Sequence, residues 1–233
     1  MKPPFLKRNT SDPSSTHKPM SDINVGVLAL QGAYKEHIAM LAMIPGVAPV
    51  EITQPEHLLH CDGIIIPGGE STVIGKLCFS SGLLEPLKAW TKANRPSWGT
   101  CAGMIMLANE IEGATKERQE LIGGLDCVVR RNYFGSQAGS FSQEMEFPNS
   151  AERGCTSVFI RAPAVMAVGQ GVTVLSTVSY QVQSKEAFDQ EGKSVVVAVQ
   201  QGNLMGTAFH PELVPSDLRW HQRFVDIVRQ AKH

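Results

Sequence analysis

The sequence lacks any long apolar run and any marked excess of one charge. The longest apolar stretches, at residues 64–66 and 195–199, have the length of strands and fall far short of the roughly 20 residues that a membrane-spanning helix needs. Lysine plus arginine number 21 and aspartate plus glutamate 22, so the formal net charge is −1 and no basic excess points to nucleic acid or an anionic membrane. With 233 residues, 42% of them hydrophobic, the chain is expected to form one sizeable globular domain.

Cysteine is sparse and shows no paired spacing. The five cysteines, at positions 61, 78, 101, 127 and 155, are far apart and form no C-x-x-C pair. Such a set, in a chain without a secretory signal, favours a reducing compartment, here the cytoplasm, and argues against a disulfide scaffold or a zinc finger. Import into an organelle, directed by the basic N-terminal leader, stays open as an alternative. Residues 1–22 are rich in Pro, Ser, Thr and Lys and have no hydrophobic period, so a disordered leader is expected before a single domain at residues 23–233.

The first half of this domain alternates apolar runs with helical patterns. Short, nearly continuous apolar runs are typical of strands buried on both faces of a sheet. Strands are predicted at residues 25–30, 47–52, 63–66 and 96–99. Helices are predicted from residue 34 to the Pro-Gly break at 45–46, and at 72–79, 83–93 and 104–107. This alternation predicts a parallel sheet with helices on both faces.

The second half is richer in strands. They are predicted at residues 127–130, 157–160, 173–178, 194–199 and 204–208, with a closing helix at 217–231 and polar surface loops at 112–119 and 184–193. Few helices separate these strands, which indicates an antiparallel or mixed extension of the same sheet. The predicted fold class is therefore α/β, a three-layer open sheet with a mostly parallel core and a mixed or antiparallel extension.

A possible nucleophile lies in the motif GTCAG at residues 99–103, between a predicted strand and a predicted helix. A nucleophile flanked by glycines at a strand-to-helix turn is typical of an elbow that lifts the side chain above the sheet. Gly99 and Gly103 are needed because side chains there would collide in so sharp a turn. Taken alone, the pattern fits a small buried cysteine in a tight turn equally well.

His210 and Glu212 follow the last predicted strand. Residues i and i+2 of an extended chain point to the same side, so Glu212 is expected to accept the ring proton of His210 while the other ring nitrogen faces a thiol. Cys101 and His210 both follow strands, whose carboxyl ends gather at one edge of a parallel sheet. We expect no comparable partner for the other six histidines, and no third metal ligand accompanies His57 and His60.

The loop PGGES at residues 67–71 follows another apolar strand. Its two glycines allow the backbone to approach a ligand closely and to turn N–H groups inward. Together with the N–H of Ala102, this loop is predicted to form an oxyanion hole. A phosphate-binding loop is discounted, because the pattern G-x-x-x-x-G-K-[ST] is absent and Glu70 would repel phosphate.

Six motifs together resemble one family of proteins. They are LQG at residues 30–32, PGGEST at 67–72, GTCAG at 99–103, RNxFG at 131–135, FIRAP at 159–163 and FHPEL at 209–213. The set is similar to the glutaminase subunits of pyridoxal 5′-phosphate synthase, the Pdx2 or PdxT family of class I (triad) glutamine amidotransferases, over residues 24–231. LQG, RNxFG and FIRAP separate this family from its relatives.

The resemblance implies a flavodoxin-like class I amidotransferase fold and hydrolysis of glutamine to glutamate and ammonia. It assigns the triad to Cys101, His210 and Glu212, the oxyanion hole to Gly69 and Ala102, and coupling to the partner to Gln31. It places six residues around the glutamine: Gly69, Glu70, Ser71, Arg131, Ile160 and Arg161. It further implies a Pdx1-type synthase as partner, activation on docking, and no metal or organic cofactor.

Three other interpretations stay open at this point. The chain could be a class I glutaminase that feeds another acceptor, such as an imidazole glycerol phosphate or nucleotide synthase. It could be a Cys-His-Asp hydrolase of the dienelactone type, for which Asp126 is the only candidate acid. It could also be a pseudo-glutaminase that binds and regulates a synthase without catalysis, although the intact triad argues against this.

Overall fold

The structure, a computed structural model, describes residues 22–113, 119–135, 140–148, 154–179 and 194–232. Residues 1–21 of the predicted leader and the predicted loop at 184–193 lie outside these ranges. Across the described ranges, no helix combines the length and the apolar character that crossing a bilayer requires.

Five parallel strands form the core of the sheet. They are β1 (Ile23–Leu28), β2 (Val47–Ile52), β3 (Gly63–Ile66), β4 (Ser97–Thr100) and β12 (Leu204–Thr207), in the spatial order β2-β1-β3-β4-β12. Every residue of β3, β4 and β12 is buried, as the continuous apolar runs predict. The predicted bounds are correct for β2 and β3, whereas β1 begins two residues earlier than predicted because Ile23 pairs with Val47 at the start of the ladder.

Helices cover both faces of this core. They are α1 (Tyr34–Ala42), α2 (Ser71–Ser80), α3 (Leu84–Lys92), α4 (Ala102–Leu107) and α5 (Arg219–Lys232), with short 3-10 helices at Pro55–His60 and Pro211–Leu213. Trp98 contacts His37 of α1 and Phe224 of α5. Its strand neighbour Gly99 points to the opposite face and abuts α4 at Gly103. The three layers expected from the sequence are therefore present.

The remaining strands extend the sheet in mixed orientation. They are β5 (Ala108–Ile111), β6 (Leu125–Arg130), β9 (Ala164–Val168), β10 (Thr173–Ser179) and β11 (Ser194–Gln201). β11 is antiparallel to β12 and β10, and β6 is parallel to β5 but antiparallel to β9. This is the mixed extension that the sequence predicts.

One strand of the predicted extension lies elsewhere. β7 (Phe141–Met145) and β8 (Cys155–Phe159) form a separate two-stranded antiparallel sheet, so the assignment of residues 157–160 to the main sheet is wrong. Phe141 of β7 and Phe159 of β8 stack with ring centroids 4.6 Å apart, and Phe159 packs edge-on against Phe209 beside the end of β12. The small sheet is therefore anchored next to His210, whose backbone N–H donates to the carbonyl of Val158 at 2.9 Å.

Candidate active site

The loops that follow the parallel strands meet at one edge of the sheet. Ile66 pairs with Gly99, and Gly99 pairs with Gly206, so β3, β4 and β12 end at the same level. A cavity of about 380 Å³ opens there. Ten of the residues named in the sequence analysis line it: Gln31, Gly69, Glu70, Ser71, Cys101, Ala102, Arg131, Ile160, Arg161 and His210. The volume falls in the range of small-molecule sites.

Cys101 sits in the sharp turn that the motif predicts. Its φ is +47°, a left-handed conformation that is rare for a residue with a side chain and occurs at functional sites. A Cβ atom added to Gly99 would lie 2.3 Å from the backbone of Gly103, and one added to Gly103 would lie 1.8 Å from the carbonyl oxygen of Ile66. Both glycines are thus required by close backbone contacts, and the turn places Cys101 on the cavity wall.

His210 joins Cys101 and Glu212. Its Nδ1 lies 2.7 Å from Oε1 of Glu212, and its ring and the Cys101 side chain both line the cavity next to Gly68. Burial by itself lowers the pKa of His210, but the hydrogen bonds and charges of Cys101 and Glu212 outweigh this and raise the pKa to about 10. The ring of His210 therefore lies between the Cys101 side chain and the Glu212 carboxylate, two groups that favour its protonated form.

The route to the Glu212 contact differs from the one expected. Pro211–Leu213 forms a 3-10 turn, so His210 and Glu212 do not lie along an extended chain as the sequence argument assumes. The turn folds the carboxylate back under the ring and buries it completely. Glu212 therefore lies behind the imidazole, away from the cavity that His210 and Cys101 line.

The glycine loop packs against Gln31. The amide oxygen of Gln31 accepts a hydrogen bond from the backbone N–H of Glu70 at 2.9 Å, and a Cβ atom added to Gly69 would lie 2.4 Å from that oxygen. The carbonyl of Gly68 accepts a hydrogen bond from the N–H of Ala33, so the N–H of Gly69, on the same planar peptide, points away from α1. The carboxylate of Glu70 accepts hydrogen bonds from the N–H and hydroxyl of Thr72 and so caps α2.

Two arginines approach the cavity from the other side. Arg131 follows β6, and Arg161 follows β8 with a left-handed φ of +45°. The sulfur of Cys101 lies 3.8 Å from the carbonyl oxygen of Ile160. The structure therefore brings the FIRAP and RNxFG motifs to the nucleophile candidate, although they are about 30 residues apart in the chain.

Gln119 is a site residue that the sequence argument missed. The sequence predicts a polar surface loop at this position, yet the amide oxygen of Gln119 accepts hydrogen bonds from the hydroxyl of Ser71 at 3.3 Å and from Nη1 of Arg131 at 3.1 Å. It therefore links the two sides of the cavity. A polar residue in a loop without periodicity gives no signal of such a contact.

His37 is a second omission, and it corrects a prediction. The expectation that no other histidine has a partner of the His210 type is wrong, because Nε2 of His37 lies 3.3 Å from Oε2 of Glu212. Nδ1 of His37 also lies 2.9 Å from Nε2 of His221. The helical period of α1 marks position 37 only as a neighbour of the apolar face, and the partners are distant in sequence.

The remaining cysteines and histidines form no further chemical site in the described part of the chain. No group of three or more His, Cys, Asp or Glu residues there is arranged to hold a metal ion. All five cysteines are free thiols. Burial raises the pKa of Cys61 and Cys78 to about 11 and that of Cys127 to about 12, so these three thiols are poor nucleophiles.

Known proteins resemble the chain over nearly its whole length. It matches the SNO glutamine amidotransferase family over residues 27–230. It is 45% identical over 227 residues to an Arabidopsis thaliana protein named probable pyridoxal 5′-phosphate synthase subunit PDX2, which covers 90% of this chain and 88% of the relative. It is 46% identical over 208 residues to the pyridoxal 5′-phosphate synthase subunit PdxT of a Nocardioides species. That alignment covers 89% of this chain and 97% of the relative.

A solved structure extends the likeness to the fold. The crystal structure of a glutamine amidotransferase matches with a TM-score of 0.74 at 36% identity and covers 88% of this chain and 98% of that one. The family resemblance and the fold class predicted from the sequence are confirmed. The chain belongs to the SNO glutamine amidotransferase family.

Proposed function

We propose that this protein is the glutaminase subunit of a pyridoxal 5′-phosphate synthase and that Cys101, His210 and Glu212 are its catalytic triad. It hydrolyses L-glutamine to L-glutamate and ammonia. The observation that carries the proposal is that the Cys101 side chain and the His210 ring lie side by side on the wall of a cavity sized for a small molecule, with Glu212 2.7 Å behind the ring. Relatives at 45–46% identity bear the name of this subunit.

The triad carries the reaction in two halves. The sulfur of Cys101, relieved of its proton by His210, attacks the side-chain amide carbon of glutamine and forms a C–S bond. The C–N bond then breaks, and the His210 cation gives its proton to the departing ammonia. Water next attacks the thioester, passes a proton to His210, and the C–S bond breaks to release glutamate. Glu212 orients the ring throughout and stabilises its positive charge.

Negative charge builds on the amide oxygen in both halves. The backbone N–H groups of Gly69 and Ala102 are proposed to receive it. Ala102 follows the nucleophile at the start of α4, and the carbonyl of Gly68 is held by Ala33, which aims the Gly69 N–H away from α1. Loss of one such donor typically costs on the order of 10²–10³ in rate, so this backbone geometry is central to the activity.

The charged side chains of the cavity suit the two ends of an amino acid. Arg131 or Arg161 is proposed to bind the α-carboxylate, with geometry suited to two parallel hydrogen bonds. Glu70 is proposed to face the α-ammonium, and Gly69, Ser71 and Ile160 complete the pocket. A free amino acid with a side-chain amide matches this distribution of charge around a sulfur nucleophile.

The ammonia needs a second protein to use it. At neutral pH free ammonia is mostly protonated and unreactive, which favours direct transfer to a partner. We propose a Pdx1-type pyridoxal 5′-phosphate synthase subunit as that partner, with activation on docking coupled through Gln31. Gln31 suits this role because its amide oxygen holds the Glu70 N–H beside the oxyanion loop. No metal or organic cofactor takes part in the proposed reaction, and the cytoplasm is the proposed compartment.

The Cys-His-Asp hydrolase has less support. Asp126 lies near the start of β6, where its backbone N–H donates to the side chain of Gln201. Gln201 pairs with Leu204, at the opposite end of β12 from His210. The ring nitrogen that such an acid would need is already held by Glu212.

The test is glutamate release from glutamine by the full chain, with and without a Pdx1-type synthase. We expect little turnover by the chain alone, strong activation by the synthase, and loss of activity but not of binding in Cys101→Ala. Cys127→Ala is the matched control, because it removes a buried thiol elsewhere and is expected to leave turnover unchanged. No glutamate in any arm would refute the proposed function, equal rates with and without synthase would refute activation, and activation only by an imidazole glycerol phosphate or nucleotide synthase would assign another acceptor.

A further inference from the structure

Glu212, the proposed orienting acid, has one oxygen that its histidine does not use. Oε1 meets Nδ1 of His210, whereas Oε2 is buried and has no hydrogen-bond partner among the described residues. A carboxylate oxygen withdrawn from water and left bare is costly, so the group that faces it governs how firmly the acid is held. That group is the imidazole of His37, whose Nε2 lies 3.3 Å from Oε2.

The His37 ring is fixed from three directions. It is fully buried, its Nε2 lies 3.1 Å from the hydroxyl of Thr100, and its Nδ1 lies 2.9 Å from Nε2 of His221 on α5. The indole of Trp98 packs edge-on against both imidazoles, with ring centroids 5.5 Å from His37 and 5.0 Å from His221. A ring held in this way is a rigid support for the carboxylate.

The positions of the ring protons follow from the neighbours. A carboxylate only accepts hydrogen bonds, so the nitrogen that faces Glu212 must carry the proton if the contact is to be attractive. Neutral His37 then accepts at Nδ1 from the Nε2–H of His221. This leaves Nδ1 of His221 without a proton, in agreement with its buried position and lack of any partner in the described chain.

The opposite assignment has two costs. It would place a lone pair of His37 against the Glu212 anion and leave a buried N–H of His221 with no acceptor, and orphaned buried N–H groups are rare.

The surroundings of His37 and His221 favour the neutral form of both rings. Burial first, then the charges of His221 and His210, lowers the pKa of His37, and burial lowers that of His221 despite the opposing charge of Asp217.

We infer that His37 is a positioning residue of the proposed triad: its ring, with Nε2 3.3 Å from Oε2, supports the Glu212 carboxylate from behind in the orientation that aligns His210 with Cys101. This rests on the proposed function. Thr100 shares the same ring nitrogen and directly precedes Cys101 in the chain, so the network joins the acid and the nucleophile turn from behind. His221 in turn fixes which nitrogen of His37 carries the proton.

The experiment uses the full chain with a Pdx1-type synthase and three variants. His37→Leu removes the donor at similar volume. His37→Gln keeps an N–H at the end of the side chain and is the conservative replacement. Met40→Ala, at a buried position on the same helix, is expected to lower stability and controls for general loosening of α1.

For His37→Leu we expect kcat to fall about 10- to 100-fold with the KM for glutamine within about twofold of wild type. The limb of the kcat/KM profile that reports His210 should move to lower pH, because the hydrogen bond and charge of Glu212 raise the pKa of His210 and a displaced carboxylate raises it less. His37→Gln should restore most of the rate and the position of the limb, and Met40→Ala should leave both unchanged per folded molecule.

Two results would overturn the inference: an unchanged kcat and pH profile in His37→Leu, or equal losses in His37→Leu, His37→Gln and Met40→Ala. Failure of the proposed function is separately visible, since the wild-type complex would then release no glutamate. If His37→Leu does not fold, His221→Gln is compared with His37→Gln. His221→Gln keeps the His37 ring but removes the group that fixes its proton, so a positioning role predicts that its rate falls below that of His37→Gln and its pH profile moves. Equal rates and equal pH profiles in the two variants would then overturn the inference.

Discussion

A Cβ atom added to Gly68 would lie 2.4 Å from Cε1 of His210 and 2.8 Å from its Nδ1. The imidazole therefore occupies the space that any side chain at position 68 would need. The same added atom would lie 3.4 Å from Cβ of Cys101, so Gly68 lies next to both proposed reacting groups. The first glycine of PGGES thus admits the His210 ring, in addition to giving the loop its conformational freedom.

Gly68→Ala is expected to reduce kcat by at least about 10-fold, since displacing a catalytic group by about 1 Å costs up to about 10²-fold. The fold should survive, because the φ of Gly68 is one that alanine adopts and the ring can shift towards the cavity. Single-turnover glutamate release in the complex with the synthase measures this, with thermal unfolding measured alongside. Gly171→Ala is the control: position 171 has open space but a φ of +83° that strains alanine, so the variant should lose some stability and leave kcat unchanged per folded molecule. An unaltered kcat in Gly68→Ala would mean that the ring position is not critical.

The parallel core could be predicted from the sequence because strands buried on both faces consist of nearly continuous apolar runs. Residues 63–66 form an unbroken apolar run after Gly63, and every one of them is buried in β3. The site followed from the same logic, since Cys101 and the loop at Gly69 come directly after such strands. Parallel strands end at a common edge, so local motifs and one rule about sheets were enough to bring them together.

Features that depend on distant pairing were not predictable in this way. β5 follows α4 without a break, so its apolar residues read as a continuation of the helix. β7 alternates half-exposed and exposed residues along most of its length, which leaves little apolar pattern, and nothing in β8 indicates that β7 rather than the main sheet is its partner. The contact of His37 with His221 spans 184 residues and depends on how α1 and α5 pack. Such contacts are set by tertiary packing, which sequence periodicity does not encode.

Gln119→Leu tests whether Arg131 binds the substrate carboxylate. The variant removes the amide oxygen that accepts from Arg131 and from Ser71, so the guanidinium loses its anchor on the cavity wall. We expect the KM for glutamine to rise about three- to tenfold with kcat within about twofold, because a hydrogen bond to a charged group contributes about 1.5–3 kcal/mol and part of it is replaced by water. Gln119→Glu keeps an acceptor but adds a negative charge that competes with the substrate carboxylate, so its KM should rise further. Unchanged KM values in both variants would contradict the role of Arg131.

The buried histidines predict how stability depends on pH. Burial lowers the pKa of His221 to about 3 and also lowers that of His37, so between pH 6.5 and about 3 the unfolded chain binds protons that the folded chain does not. Stability therefore falls as the pH drops below about 6.5, by up to about 1.4 kcal/mol per pH unit for each histidine. The effect of His210 on stability has the opposite pH dependence. Because its pKa is raised, His210 stabilises the folded protein fully below pH 6.5, and this stabilisation is lost as the pH rises through about 10.

Urea unfolding between pH 5 and pH 9 measures these slopes. On the acidic side, His221→Gln should lower the slope of unfolding free energy against pH by up to about 1.4 kcal/mol per unit, because one buried neutral histidine is gone. Ile227→Val, on the same helix, should shift the whole curve by about 1 kcal/mol without changing its slope. If His221→Gln and wild type have the same acidic slope, His221 is protonated in the folded protein, and the assignment of neutral rings to His37 and His221 would be wrong.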